Sequence, residues 1–384
     1  MNNLSSYLRY CDNLRDTRKL RELLVQRSSF NKKCINFSSN DYLLLSRSDD
    51  LLKAAQDFGV LYGVGSTGSR LLSGNSKSFT DFEMQIAKDK HTEAALIFNS
   101  GYQANLSIIA SLCDSKVLGQ QALVFFDKLN HASLYQGIFL CGAKLIRYAH
   151  NNMEDLHQLL QQYNNDPRPK FIVSETLFGM DGDIVNLPAL VDFASEYNAL
   201  LYLDEAHSTG ILGEYGYGLS TTLDMSRISY VVMGTFSKAM GVCGAYVACS
   251  HQIRDYLVNK CIGFIYSTSL SPMVIGAATK AWQLIKDLHQ ERKELLEKAD
   301  ILRNNLKKSG LDIGQSSTHI IPIILKKEGI VLNLQQKLLE YSILVSAIRS
   351  PTVPPGSARI RIALNIGHND CEISALTNCL KSLL

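Results

Sequence analysis

Short, mostly apolar runs alternate along this chain with stretches whose apolar residues recur every three or four positions. Ala94 to Phe98, Ala122 to Phe126, Lys144 to Tyr148, Lys170 to Ser174, Ala199 to Leu203 and Ser229 to Met233 have the length and side chains of buried strands. Between them, helical spacing marks Phe79 to Lys90, Leu106 to Leu112 and Ala189 to Tyr197, and Asn130-His131-Ala132-Ser133 opens a further helix. Strands and helices in this alternation predict an α/β fold, a mostly parallel sheet with helices on both faces.

The two ends of the chain differ from its middle. Leu14, Leu20 and Leu24 lie among arginines and lysines and predict an exposed amphipathic helix; Cys34 to Ser38 predicts a short strand. After about residue 285 a long charged helix, Gln290 to Lys308, leads into short strands at Ile320 to Leu325 and Ala358 to Ala363. The expected division is an N-terminal helix and short strand segment over 1–45, a large α/β domain over 46–285, and a small α+β domain over 286–384.

Composition narrows the class. Hydrophobic residues make up 46% of the 384 positions and charged ones 20%, as in ordinary globular proteins. A net charge of +3, without a basic cluster interleaved with aromatics, gives no reason to expect nucleic acid as a partner. Nine scattered cysteines, none in a CxxC pair, suggest reduced thiols rather than disulfides or a metal site. The polar, basic start and the lack of any membrane-length apolar run predict a cytoplasmic protein with no membrane association.

The candidate chemistry sits just past the strand ends, where parallel sheets form their ligand crevice. His131, Glu175, Asp204, His207 and Lys238 all fall there. Lys238 lies in Gly234-Thr235-Phe236-Ser237-Lys238-Ala239-Met240-Gly241, just beyond an apolar strand; a lysine dried by such a setting becomes a neutral nucleophile. Asp204 follows the apolar Leu200 to Leu203, and a buried carboxylate there calls for a positive partner. Gly101 and Tyr102 begin the helix after Ala94 to Phe98, and a helix N-terminus receives anions. Each residue also has a plainer reading: a solvated loop lysine, a capping aspartate, a capped helix start. Together they supply what pyridoxal phosphate requires, namely a Schiff-base lysine, an acid for the ring nitrogen, a flat group to stack on the ring and a phosphate cradle.

The sequence resembles the α-oxoamine synthases of the fold-type I pyridoxal-phosphate enzymes over nearly its whole length. The resemblance is carried by Asn36-Phe37-Ser38-Ser39-Asn40-Asp41-Tyr42-Leu43, Gly68 to Asn75, Asn130 to Ser133, Met180-Asp181-Gly182-Asp183, Asp204-Glu205-Ala206-His207 and Thr352-Val353-Pro354. It implies a seven-stranded, mostly parallel sheet domain with a smaller C-terminal domain, and pyridoxal phosphate as cofactor. It further implies that Lys238 forms the Schiff base, Asp204 pairs with the ring nitrogen, His207 bonds the phenolic oxygen and His131 stacks on the ring. Gly101, Tyr102 and Thr235 fall at phosphate-binding positions, Glu175 among the cofactor-contacting ones. Thr268 matches a phosphate ligand supplied by the second subunit of a homodimer. Arg359 and Asn40 match residues near the amino-acid carboxylate; Arg361 is read as structural or as lining the substrate rim. Of two N-terminal candidates for the acyl substrate, Arg18 and Arg21, Arg21 is taken. Within the family the chain is most similar to the member that condenses L-alanine with pimeloyl-CoA or pimeloyl carrier protein in biotin biosynthesis. A glycine-using member such as 2-amino-3-ketobutyrate ligase, or a non-catalytic homologue serving as a binding subunit, are the alternatives. Leu44, Phe79 and Gly179 depart from the family's usual glycine, histidine and serine. Gly241 and Gly244 are expected to let the chain pass close to the cofactor.

Overall fold

The computed structural model describes residues 3–18 and 34–384. Helix α1 (Asn3–Arg18) contains Leu14, whereas Leu20, Arg21 and Leu24 lie outside the described residues. The two-residue strand β1 (Ile35–Asn36) precedes helices α2 (Asp49–Tyr62) and α3 (Lys77–Asp89). Then strand and helix alternate as β2 (Ala94–Phe98), α4 (Gly101–Leu112), β3 (Leu123–Asp127), α5 (Ala132–Cys141), β4 (Lys144–Tyr148), α6 (Met153–Gln162), β5 (Lys170–Glu175), α7 (Leu187–Glu196) and β6 (Ala199–Asp204). Strands β7 (Tyr230–Thr235) and β8 (Ala245–Cys249) lead to helices α8 (His251–Lys260), α9 (Pro272–Ile285) and α10 (His289–Lys308). The chain ends through β9 (Ile320–Lys326), α11 (Glu328–Glu340), β10 (Ile343–Leu344), β11 (Ser346–Ile348), β12 (Ala358–Ala363) and α12 (Asp370–Leu383).

Seven strands form one sheet in the order β2-β8-β7-β6-β5-β3-β4, in which β8 alone runs antiparallel to its neighbours. Its central strands read as continuous apolar runs because both faces are covered. Side chains alternate between those faces. Ile172, Leu201, Leu203 and Val232 pack on one side with α7, while Val173, Tyr202, Val231 and Met233 pack on the other with α4 and α5. The parallel strands β3, β5, β6 and β7 end along one rim with Asp127, Glu175, Asp204 and Thr235. The register sets Glu175 beside Asp204 and Asp204 beside Met233. β7 runs to Thr235, two residues further than its apolar pattern suggests, because Gly234 and Thr235 continue the pairing with Tyr246 and Ala245. Lys238 therefore stands in the turn after the strand, three residues beyond its end.

Towards the C-terminus, β11, β12 and β9 form a small antiparallel sheet. β1 pairs in parallel with β10, and the backbone bonds continue beyond it. The Phe37 N–H donates to the Leu344 carbonyl at 2.8 Å, the Ala363 N–H to the Phe37 carbonyl at 2.8 Å, and the Ile366 N–H to the Tyr42 carbonyl at 3.0 Å. The stretch from Ile35 to Tyr42 is thus hydrogen-bonded to the last fifty residues and carried against the sheet's rim.

Candidate active site

At the rim lies a cavity of about 270 Å³, lined by Gly101, Tyr102, Asn105, His131, Glu175, Asp204, His207, Thr235 and Lys238 among others. Eight of the residues expected at the site therefore meet in one place.

One end is a helix start. Ser100 caps α4, its hydroxyl accepting from the Gln103 N–H at 3.2 Å. The N–H groups of Gly101 and Tyr102 precede the first intrahelical bonds, and the positive end of the helix dipole faces the cavity. Thr235 borders the same end. Its hydroxyl donates to the Gly244 carbonyl at 2.8 Å and accepts from the Ser237 N–H at 3.1 Å.

At the other end is Asp204, 3% exposed. Its carboxylate accepts from Asn105 Nδ2 at 2.7 Å and from the Ala206 N–H at 2.8 Å. Both donors are neutral, and among the described residues no cation forms an ion pair with this carboxylate, Lys238 acting on it only from a distance. Asn105 had no assigned role in the sequence, yet it orients this carboxylate. It also donates to Ser133 Oγ at 2.9 Å and accepts from the Tyr202 hydroxyl at 2.8 Å. Its signal was available: four residues after Gly101 on a helix, it shares the face of the anion-binding end.

Lys238 has its pKa pushed down to about 8, by burial first and by Arg361, while Asp204 and Glu175 pull the other way. At pH 7 roughly a tenth of its amine is then neutral, far more than in an ordinary lysine. Glu175 is pushed up to about 8 by burial and by the neighbouring Asp204 charge, against Lys238 and the backbone N–H groups of Gly179 and His131. His207 is held well below the usual histidine range by burial and by Lys238, Arg361, His319 and His131. His131 caps α5, accepts from the Ser133 N–H and stands exposed at the cavity mouth.

The remaining candidates lie outside the lining. Arg359 donates to Asp181 Oδ1, to the Met180 carbonyl at 3.3 Å and to the Ser357 carbonyl at 3.1 Å. Arg361, read as structural or as lining the substrate rim, is buried and bonded to protein groups. It donates to the Gly179 carbonyl at 2.6 Å, to Asn40 Oδ1 at 3.0 Å and to the Tyr42 hydroxyl at 3.2 Å. Thr268 bridges to Ser69, and its carbonyl accepts from Asn99 Nδ2 at 2.7 Å; it does not line this chain's cavity. Arg21 lies outside the described residues, as does the side chain of Arg18.

The departures have structural counterparts. A Cβ at Gly179 would lie 2.2 Å from His207 Nε2, so this histidine pose requires the glycine. Phe79 is buried beneath the Arg70 guanidinium, 4.3 Å from its ring centre. Leu44 adopts φ 53° and lies over Gly367. Gly241 differs from its expected role: its open side faces the backbone of Ser46, so its close approach is to the N-terminal segment.

Residues 32–377 match the family profile "Aminotransferase class I and II". The chain belongs to that family. Its relatives fall in the α-oxoamine synthase branch, whose members depend on pyridoxal phosphate and transfer an acyl group to an amino acid. The 8-amino-7-oxononanoate synthase of Gluconacetobacter diazotrophicus is 43% identical over 349 residues, 90% of this chain and 87% of its own. A relative in Paramagnetospirillum magneticum, provisionally given the same enzyme name, is 45% identical over 90% of this chain and 87% of its own. Among solved structures, 8-amino-7-oxononanoate synthase from Francisella tularensis superposes with TM-score 0.79 at 29% identity, covering 92% of this chain and 98% of its own. Serine palmitoyltransferase from Sphingomonas wittichii gives TM-score 0.86 at 26% identity, covering 97% of each chain. The family's fold-type I architecture is the one described above, and among the described residues no helix is long and apolar enough to cross a membrane.

Proposed function

We propose that this protein is an 8-amino-7-oxononanoate synthase, condensing L-alanine with a pimeloyl thioester and releasing CO2 and free thiol. One observation carries the reading: 43% identity, sustained over 90% of the chain, to an enzyme of that name. The cavity suits the cofactor on its own terms, with a helix N-terminus for a phosphate at one end and a buried carboxylate, held by two neutral donors, for a protonated ring nitrogen at the other.

In this reading Gly101, Tyr102 and Thr235 hold the phosphate and Asp204, steadied by Asn105, holds the ring nitrogen. His131 covers one ring face, Glu175 borders the ring, and His207 meets its phenolic oxygen. Bound there, pyridoxal phosphate supplies an electron sink for the negative charge that develops at the substrate's Cα. Lys238, with its lowered pKa, anchors the cofactor and then takes the Cα proton at Nζ. Arg359 and Asn40 receive the alanine carboxylate, and Arg21 contacts the acyl substrate. The protein acts as a cytoplasmic homodimer, each subunit lending Thr268 to the other's phosphate site.

Mass analysis of products from alanine with pimeloyl-CoA and with pimeloyl carrier protein tests this. The expected product appears with at least one donor and not with Lys238→Ala. Turnover only of glycine with acetyl-CoA would overturn the substrate assignment. A purified protein without the cofactor's visible absorbance, and without turnover, would make it a binding subunit.

A further inference from the structure

His207 is neutral in its buried setting, so one ring nitrogen carries a proton and the other does not. Which one is decided by the partners of Nδ1. The Tyr42 hydroxyl lies 2.7 Å from His207 Nδ1 and 3.0 Å from Asn40 Oδ1. Arg361 Nη2 lies 3.2 Å from that hydroxyl and 3.0 Å from the same Asn40 oxygen. Arginine can only donate, and the amide oxygen can only accept. All four contacts are hydrogen bonds under a single proton assignment: Tyr42 donates to Asn40, and His207 Nδ1–H donates to Tyr42. The phenol is fully buried, and the His319 ring stands edge-on against it at 4.1 Å.

We propose that Tyr42 is a positioning residue that holds His207 as its Nδ1–H tautomer, so that Nε2 presents a lone pair to the cofactor's phenolic hydroxyl. Gly179 completes the device, because a Cβ there would collide with Nε2. The ionisable groups facing His207 are Tyr42, Lys238, Arg361, His319 and His131. The cofactor half of the argument rests on the reading under Proposed function; the tautomer does not.

Two measurements test it. In the apoprotein, 15N spectra of histidine-labelled protein, assigned by loss of signal in His207→Asn, should show Nδ1 protonated and Nε2 bare. A protonated Nε2 overturns the proposal whether or not the cofactor binds. In the holoenzyme, an accepting Nε2 favours the phenol-protonated tautomer, which absorbs in the near ultraviolet, over the phenolate tautomer, which absorbs in the visible, so Tyr42→Phe should raise the visible-to-near-ultraviolet ratio at fixed pH about tenfold. Gly179→Ala should shift it the same way, and the double variant no further than either one, since both act through His207. An unmoved or lowered ratio in Tyr42→Phe, or additive shifts, would sink the idea. A purely structural tyrosine would lower thermal stability and leave the ratio in place. If Tyr42→Phe does not fold, the 15N experiment on the wild type decides.

Discussion

Lys238 and Glu175 show how one rim tunes opposite chemistries. Glu175 ends β5 and Lys238 stands just past β7, the strands on either side of the one that Asp204 ends, and burial disfavours the charged form of each. For the lysine that means a free amine at modest pH. Capture of pyridoxal phosphate by the apoprotein should therefore accelerate with pH around a midpoint of about 8, followed as the onset of visible absorbance, and should vanish in Lys238→Ala. For the carboxylic acid, the folded state holds its proton up to about pH 8, whereas the unfolded chain releases it near pH 4.3. Its stabilising contribution is complete below the unfolded value and is lost as pH rises through that window. Glu175→Gln apoprotein should lose this decline, so its melting temperature should overtake the wild type's towards about pH 8. The rim carboxylates, the lysine and the histidines were legible in the sequence because apolar strands end at them. Asn105, Tyr42 and Arg361 were not assigned their contacts, because their positions follow from packing between segments up to 321 residues apart.

Among the secondary-structure elements, the loops that follow β3, β4 and β5 are tied together. His150, just past β4, lies 3.0 Å from Asp127 at the end of β3 and 3.1 Å from Asp183 in the loop after β5. Asn151 reinforces the tie, its backbone N–H donating to Asp127 at 2.7 Å and its side chain to Asp183 at 3.0 Å. That loop also carries Asp181, the partner of Arg359. Burial alone would lower the His150 pKa, but hydrogen bonds and charge from the two aspartates outweigh it and raise it to about 10. The folded value stands above the unfolded 6.5, so the stabilisation is full below about pH 6.5 and is lost as pH rises to about 10. Replacing His150 with Gln should cost about 3 kcal/mol in chemical denaturation at pH 6, since two buried carboxylates lose their shared cation, and much less near pH 10. Element order and the parallel sheet followed from periodicity. The exact strand ends did not, because β6 and β7 continue through Asp204 and Thr235 by backbone pairing that no apolar side chain announces.

For the whole molecule, the proposed dimer has a candidate face. Leu72, Val64 and Tyr266 are 84%, 77% and 81% exposed. They belong to two adjoining segments, joined by the Ser69–Thr268 bridge and by Ser271 Oγ donating to the Val64 carbonyl at 2.6 Å. Large apolar side chains gathered in this way mark an association surface. The wild type should run by light scattering at about twice 42.7 kDa. Leu72→Asp with Tyr266→Asp should yield monomers that also lose cofactor, because Thr268 is then no longer offered across the interface. Monomers that keep the cofactor at wild-type affinity would show that each chain completes its own site.

The parallel pairing of β1 with β10 has a consequence for biosynthesis. A ribosome releases Ile35 roughly three hundred residues before Ile343, and domains ordinarily fold as they emerge. The sheet and its rim can form early, but the segment bearing Asn40 and Tyr42 has no strand to join until Ile343 and Leu344 have been made. His207 then waits for its tyrosine partner in every nascent chain, and the Tyr42–His207 contact forms only after the cavity's own lining has been made.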